Sequence, residues 1–381
     1  MWLLILCSGN PFFSQFQWLN VLLAIVFGIY WSKRIKKCPA VKLLLLYLIG
    51  IITIFITQTF IFFWNSFPAI INFCSKVFWG GSVFLILGSK FRYVYLKVIT
   101  ILSFFSIIFW GLSLVHIILP GIEWSKGSTI LLYTYLIDPT TGTITIRNCG
   151  FPWEPGAFGC YLLLAFVMYI NSLPELWKEE RQSCIIILLA VLSTMSTTAY
   201  IVIAVVGLIL VFIKIKKAFV KYTWITILLV SCFYIGKNVE FLSSKIMEQN
   251  ESAAASNGSF NSTRVGSLLF DLYYIQKHPL VGNGLNSRTR YADHLYLVKL
   301  WESGNMAQSG NGFSGIIANM GVLFLLLYGY IFNKRNKNDL DSKDRILIIT
   351  AVILLLFGEP LLSYPFLLAF PLYKYPPNND K

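Results

Sequence analysis

Arg147-Asn148-Cys149-Gly150-Phe151-Pro152-Trp153-Glu154-Pro155-Gly156-Ala157-Phe158-Gly159 runs directly into the apolar residues Cys160–Ile170. One Arg, one Glu, three Gly and two Pro stand together in an otherwise oily sequence. Pro155 suits the first position of a helix, where its missing N–H would have had no partner anyway. Glu154 then falls at the helix entrance, where unpaired N–H groups favour a carboxylate. Arg147 lies upstream, in a loop. The stretch reads as the mouth of a membrane helix carrying an acid and a base. The alternative on these residues alone is a capping Glu154 and a surface Arg147.

Outward from this stretch, the composition decides the class. Of 381 residues, 56% are hydrophobic and 13% charged, far from the soluble average. The apolar residues come in long runs, which indicates membrane spans and not a large soluble core. The net charge of +14 would suggest nucleic acid in a soluble protein. Here most Lys and Arg cluster beside apolar runs, so the charge reports topology and no nucleic-acid partner is expected. The lipid bilayer and a lipid-linked phosphate are the more natural partners. The seven Cys form no CxxC or Cys/His cluster, so neither zinc nor a disulfide framework is expected. Cys149 is expected to be exposed.

The runs divide at charges and breakers: 16–31, 41–63, 69–88, 98–119, 156–170, 184–213, 222–236, 312–332 and 346–370. The run 184–213 is interrupted by Ser193-Thr194-Met195-Ser196-Thr197-Thr198 and has basic residues at both ends, so it reads as two short helices. The run 346–370 breaks at Gly358-Glu359-Pro360 and reads as a hairpin. The basic short loops 33–42, 90–97, 214–221 and 333–345 all fall on one side, which makes that side cytoplasmic. The Arg147 loop and the loop 237–311 then face outward together. The expected fold is an all-α polytopic membrane protein with about 10–12 transmembrane helices. Residues 1–381 form a single membrane domain, and 237–311 is one large outer loop within it.

Three polar groups share the outer side. Arg147 and Glu154 are the first. The second begins with Arg264, in the first turn of a short amphipathic helix whose apolar positions are Val265, Leu268, Leu269 and Leu272. A cation there opposes the helix dipole unless an anion binds nearby. Asp271 lies two turns on, too far for an i,i+4 pair with Arg264, and His278-Pro279-Leu280-Val281-Gly282-Asn283-Gly284 follows. The third group is Gln308-Ser309-Gly310-Asn311-Gly312-Phe313, where Asn311 is either a helix cap or a substrate contact. Two loop arginines without a metal cluster suit an anionic substrate held by bidentate hydrogen bonds. No cofactor is expected.

The order of these motifs resembles the O-antigen polymerase and ligase superfamily of bacterial envelope proteins. The likeness rests on an outer-loop Arg followed by Gly150-Phe151, then Glu154-Pro155-Gly156, and on the break 192–200. It continues with Arg264, the 278–284 motif, and Asn311-Gly312-Phe313 with Ala318-Asn319-Met320-Gly321-Val322-Leu323. It covers roughly residues 145–330. It implies a metal-independent glycosyltransferase in the bacterial inner membrane, acting at the periplasmic face on undecaprenyl-diphosphate-linked oligosaccharides. A chain-length-regulating membrane protein is a candidate partner. Arg147 and Arg264 would engage the donor diphosphate, with Glu154 as base or as partner of Arg147. On the residues themselves, Asp271, His278 and Asn311 are the candidate substrate contacts, with His278 alternatively serving the turn at Pro279. Ligases of this superfamily usually carry His immediately before the last-motif Asn. Gly310 stands there in this chain, which favours the polymerase. A ligase, or a transporter of the same lipid-linked sugar, is the rival reading. A transporter should carry charges inside its spans.

Overall fold

The computed structural model describes residues 1–34, 39–62, 66–124, 127–130, 132–137, 143–214, 217, 219, 222–223, 226, 264–286 and 311–377. Most of the expected 222–236 span and the rest of the 237–311 loop lie outside these residues. Helices α1 (Trp2–Leu6) and α2 (Pro11–Gln15) precede four longer ones: α3 (Gln17–Ser32), α4 (Pro39–Phe62), α5 (Phe67–Leu87) and α6 (Phe91–Leu114). A small sheet follows, then α7 (Pro155–Val167), α8 (Leu173–Glu179), α9 (Arg181–Ser193) and α10 (Thr197–Lys214). Helices α11 (Arg264–Lys277), α12 (Gly312–Asn336), α13 (Ser342–Gly358) and α14 (Pro365–Ala369) complete the described chain.

The fold is that of a helical membrane protein. Ala40–Phe60, Phe67–Leu114 and Gly312–Asn336 are long and apolar enough to cross a bilayer. The second stretch is 48 residues, about 72 Å if straight, and Gly88 at φ +51 turns it between α5 and α6. The chain clusters its basic helix ends at one end of the bundle. There Arg92 Nη1 donates to Ser172 Oγ (2.8 Å), Lys97 pairs with Glu180 (2.7 Å) and Asn171 Nδ2 donates to Pro376 O (3.3 Å). Glu180, outside the spans, is held below the usual carboxylate range: its partial burial acts upward, and the hydrogen bonds from Lys97 and Ser183 outweigh it. At the opposite end lie the Arg147 loop and the start of α12, against which the middle of α11 is held.

Two expectations about broken spans hold. Helices α9 and α10 meet at Thr194–Ser196, where Met195 takes a left-handed φ of +47 and Ser196 Oγ accepts from Ala199 N (3.3 Å) to cap α10. After α13 the chain returns through residues 359–377 as short helical turns, with Phe366, Leu367, Leu368 and Leu372 fully buried. Irregular backbone at membrane depth needs protein partners for its polar groups, and it has them. Tyr47 and Tyr328 hydroxyls donate to Leu368 O (3.0 Å) and Leu367 O (2.9 Å), and Arg335 Nε donates to Leu372 O (3.2 Å). Asn336 accepts from Tyr375 N (2.9 Å) and donates to Tyr373 O (3.0 Å).

The polar stretch after α6 departs from a purely helical picture. It holds a three-stranded antiparallel sheet: β1 (Ile122–Trp124), β2 (Gly127–Ile130) and β3 (Tyr133–Leu136). Its register pairs Ile122 with Thr129 and Gly127 with Leu136. Thr134 N donates to Gly150 O (2.7 Å), which fastens the sheet to the stretch leading into α7. Helix α7 is apolar all round and buried along nearly its whole length, the signature of a helix enclosed by others. One apolar core runs from Leu4 to Tyr375 around it.

Candidate functional site

The mouth of α7 is built by its own loop. Asn148 is fully buried and fully used: its Nδ2 donates to Ser106 Oγ (3.1 Å) and Ser193 Oγ (2.8 Å), and its Oδ1 accepts from Gly150 N (2.9 Å). Gly150 sits at φ +56, and the Phe158 ring lies 2.6 Å from where a Cβ would be. The loop thus turns back sharply onto the first turn of α7. Arg147, half-buried, donates from Nε to Thr194 O (3.2 Å) and from Nη2 to Met195 O (3.2 Å). It therefore caps the carbonyl end of α9, where a cation is favoured. Cys149 is buried, not exposed. The loop folds it beneath Arg147, and burial pushes its thiol up to about 12, with Arg147 acting downward and Glu154 upward.

Glu154 occupies the N-cap position of α7 in extended conformation, and Pro155 is the first helical residue, as its type dictates. Its side chain makes no capping hydrogen bond. It accepts instead from Trp153 Nε1 (3.2 Å), and Trp153 stacks on Tyr364 at 4.8 Å. The carboxylate against the α7 entrance is that of Glu359, which is 1% exposed and whose Oε1 lies against Gly156. Around Gly358-Glu359-Pro360 the N-termini of three helices converge. Gly156 of α7 faces the Glu359 carboxylate. Thr198 of α10 packs on Gly358, with Oγ1 2.7 Å from where a Cβ would be. Gly312 of α12 abuts Glu359 O and Pro360. Anionic oxygen is favoured at such ends. Sequence reading took 358–360 only as a helix break. The signal available was the second Glu-Pro dipeptide, matching Glu154-Pro155.

Asn311 caps α12: its Oδ1 accepts from Ser314 N (3.0 Å). Its Nδ2 is buried with no hydrogen-bond partner among the described residues. Ser314 Oγ donates to Asp271 Oδ2 (2.6 Å), and Asp271 is completely buried. The carboxylate holds the middle of α11 on the first turn of α12. Arg264 is the first residue of α11.

His278 ends α11, and its carbonyl accepts from Gly282 N (2.9 Å). Its imidazole is held below its ordinary value by partial burial and then by the charge of Lys277. The following residues interlock with α12, which breaks at Gly321 (φ +74, ψ 176). Val322 N and Leu323 N, which lose their helical acceptors there, donate to Pro279 O (2.9 Å) and Leu280 O (3.0 Å). The freed Ala318 O and Asn319 O accept from Asn283 N (2.8 Å) and Gly284 N (3.0 Å). Asn283 Nδ2 adds a bond to Ala318 O (2.9 Å) and one to Tyr274 O (2.9 Å). Thus the 278–284 motif exchanges backbone hydrogen bonds with the 318–323 motif.

Among the described residues no three His, Cys, Asp or Glu side chains gather as metal ligands would. Arg147, Glu154, Asp271, His278 and Asn311, together with the helix headed by Arg264, belong to elements joined at the end of the bundle opposite the basic helix ends. Residues 182–329 match a family model described as O-Antigen ligase. The match runs from α9 through the interlock into α12, and the Arg147–Gly159 stretch lies outside it. Neither the curated proteins nor the solved structures yield a match.

Proposed function

We propose that the chain, whose residues 182–329 match the O-Antigen ligase family model, is a member of the superfamily of O-antigen ligases and polymerases and polymerises lipid-linked oligosaccharide repeats. The growing glycan passes from its undecaprenyl diphosphate to a hydroxyl on the non-reducing sugar of a fresh lipid-linked repeat. The bond from sugar C1 to the phosphate oxygen breaks as the new glycosidic bond forms. The diphosphate leaves with the electron pair, and the hydroxyl proton passes to a base. Arg147 and Arg264 neutralise the leaving diphosphate, the role of preorganised cations where charge develops. Glu154 takes the proton or holds Arg147. Asn311 Nδ2, a buried donor without a partner among the described residues, suits a sugar or phosphate oxygen, His278 adds a substrate contact, and Asp271 serves the site by holding α11 on Ser314 of α12. The reaction runs at the periplasmic face of the inner membrane, needs no metal, and has a chain-length-regulating membrane protein as a candidate partner.

The observation that carries the polymerase reading is Gly310, directly before Asn311, where ligases of the superfamily usually carry His. A ligase transferring finished glycan to lipid A-core is the second reading, favoured by the description of the matched family. Membranes given radiolabelled lipid-linked repeats should form longer lipid-linked chains, equally well in excess EDTA. Transfer to lipid A-core alone would establish the ligase. Translocation without transfer would mark a transporter. Loss of extension in EDTA, restored by Mg²⁺ or Mn²⁺, would reject the arginine clamp.

A further inference from the structure

Gln58 lies in α4, in a part of the chain where no motif of the superfamily appears. It is completely buried. A primary amide at such a place is costly unless its donors and acceptor are satisfied. Its Nε2 donates to two backbone carbonyls, Val281 O (2.5 Å) and Asn319 O (2.7 Å). One belongs to the loop that follows α11, the other to the turn of α12 that opens at Gly321. The amide therefore bridges both strands of the backbone exchange and ties them to a third element.

That exchange fixes where α11 points. The helix is held on α12 at its middle by Asp271 and Ser314, and at its C-terminal end by residues 279–284. Arg264 heads this helix. Without the amide, Asn319 O keeps its bond from Gly284 N, while the loop and α12 lose their common tie to α4. Glycines at 282 and 321 let the two backbones meet this closely, since a Cβ at Gly282 would lie 2.5 Å from Asn319 O.

We infer that Gln58 is a positioning residue for the transfer reaction, acting through Arg264 by locking the α11–α12 junction to α4. This rests on the reading of Arg264 as part of the diphosphate clamp. The test is a double-mutant cycle on extension of radiolabelled lipid-linked repeats by membranes, scored as kcat/KM for the donor. Gln58→Met keeps the packing and removes the donors. It should lower kcat/KM about tenfold at unchanged protein level. In an Arg264→Lys background, itself partly active, the same change should cost less than about twofold, because the group it positions is already compromised. Gln58→Asn, which draws the amide back by one methylene, is carried through the same cycle, so that loss of Gln58→Met from the membrane still leaves a measurement. Losses that multiply in the double variant, or a Gln58 variant with full activity, would overturn the inference while leaving the clamp intact. A fully active Arg264→Lys and Arg264→Ala would overturn the clamp reading and with it the role of Gln58.

Discussion

Met195 and Gly321 each end a helical run in left-handed backbone, at φ +47 and +74, but their surroundings differ. Met195 lies past the end of α9, where the main chain offers its carbonyl to Arg147. Gly321 is in contact with the main chain of the 280–282 loop, and a Cβ there would collide with Leu280 O. Gly321→Ala therefore combines left-handed strain with loss of the backbone exchange, together upward of about 3 kcal/mol. Gly88→Ala carries backbone strain of about 1–3 kcal/mol but meets open space and breaks no backbone exchange, so it should cost less. Thermal unfolding in detergent should rank the two clearly, and equal falls in Tm would refute the interlock as a stabilising feature. Cys149 gives a second expectation. With its thiol pushed up to about 12, only about one molecule in ten thousand or fewer carries the reactive thiolate at pH 7.5. In a variant keeping only this cysteine, maleimide should label it after unfolding in SDS and leave the native protein untouched.

At the scale of elements, the contact of α11 with α12 separates two roles for Asp271. As the acceptor for Ser314 Oγ it needs an oxygen, not a charge. Asp271→Asn should then retain most of the extension activity, while Asp271→Ala loses about tenfold or more, as expected when a buried hydroxyl is left without its acceptor. Ser314→Ala should act in the same direction, and the two should not be additive. If Asn is as inactive as Ala, Asp271 works through its charge on substrate. The helices themselves were largely legible in the residues. The Ser/Thr run 193–198 and the Gly-Glu-Pro break at 358–360 marked real boundaries, because hydroxyl caps and proline end helices by local chemistry. The sheet at 122–136 was not legible, since its strands are only three or four residues long. Nor was the bridge from Gln58, or the convergence of three helix entrances on Glu359. Both bring together residues far apart in the chain, Gln58 with Val281 and Asn319, and Glu359 with the starts of helices at 156, 198 and 312, which no local pattern encodes.

At the scale of the whole molecule, the charge asymmetry of the loops orients the bundle. A cysteine at Ile146, exposed beside Arg147, should react with an impermeant maleimide in intact cells, and one at Lys178, at the basic end, only after lysis. The reverse pattern would move the candidate site to the cytoplasm. Arg147, Glu154 and Asn311 were picked out by charge and position. The cap that Asn311 provides for α12 was one of the two readings its position allowed, whereas the capping of α9 by Arg147 and the bond from Trp153 to Glu154 emerge only from the fold. The buried return after α13 has a consequence of another kind. Residues 361–373 fill space among α4, α5 and α12, yet they follow all three helices in the chain. The tyrosine hydroxyls and the asparagine that hold them stand on the earlier helices. Closure of the bundle therefore requires residues 361–373 to be present, whereas the three helices around them come earlier in the chain.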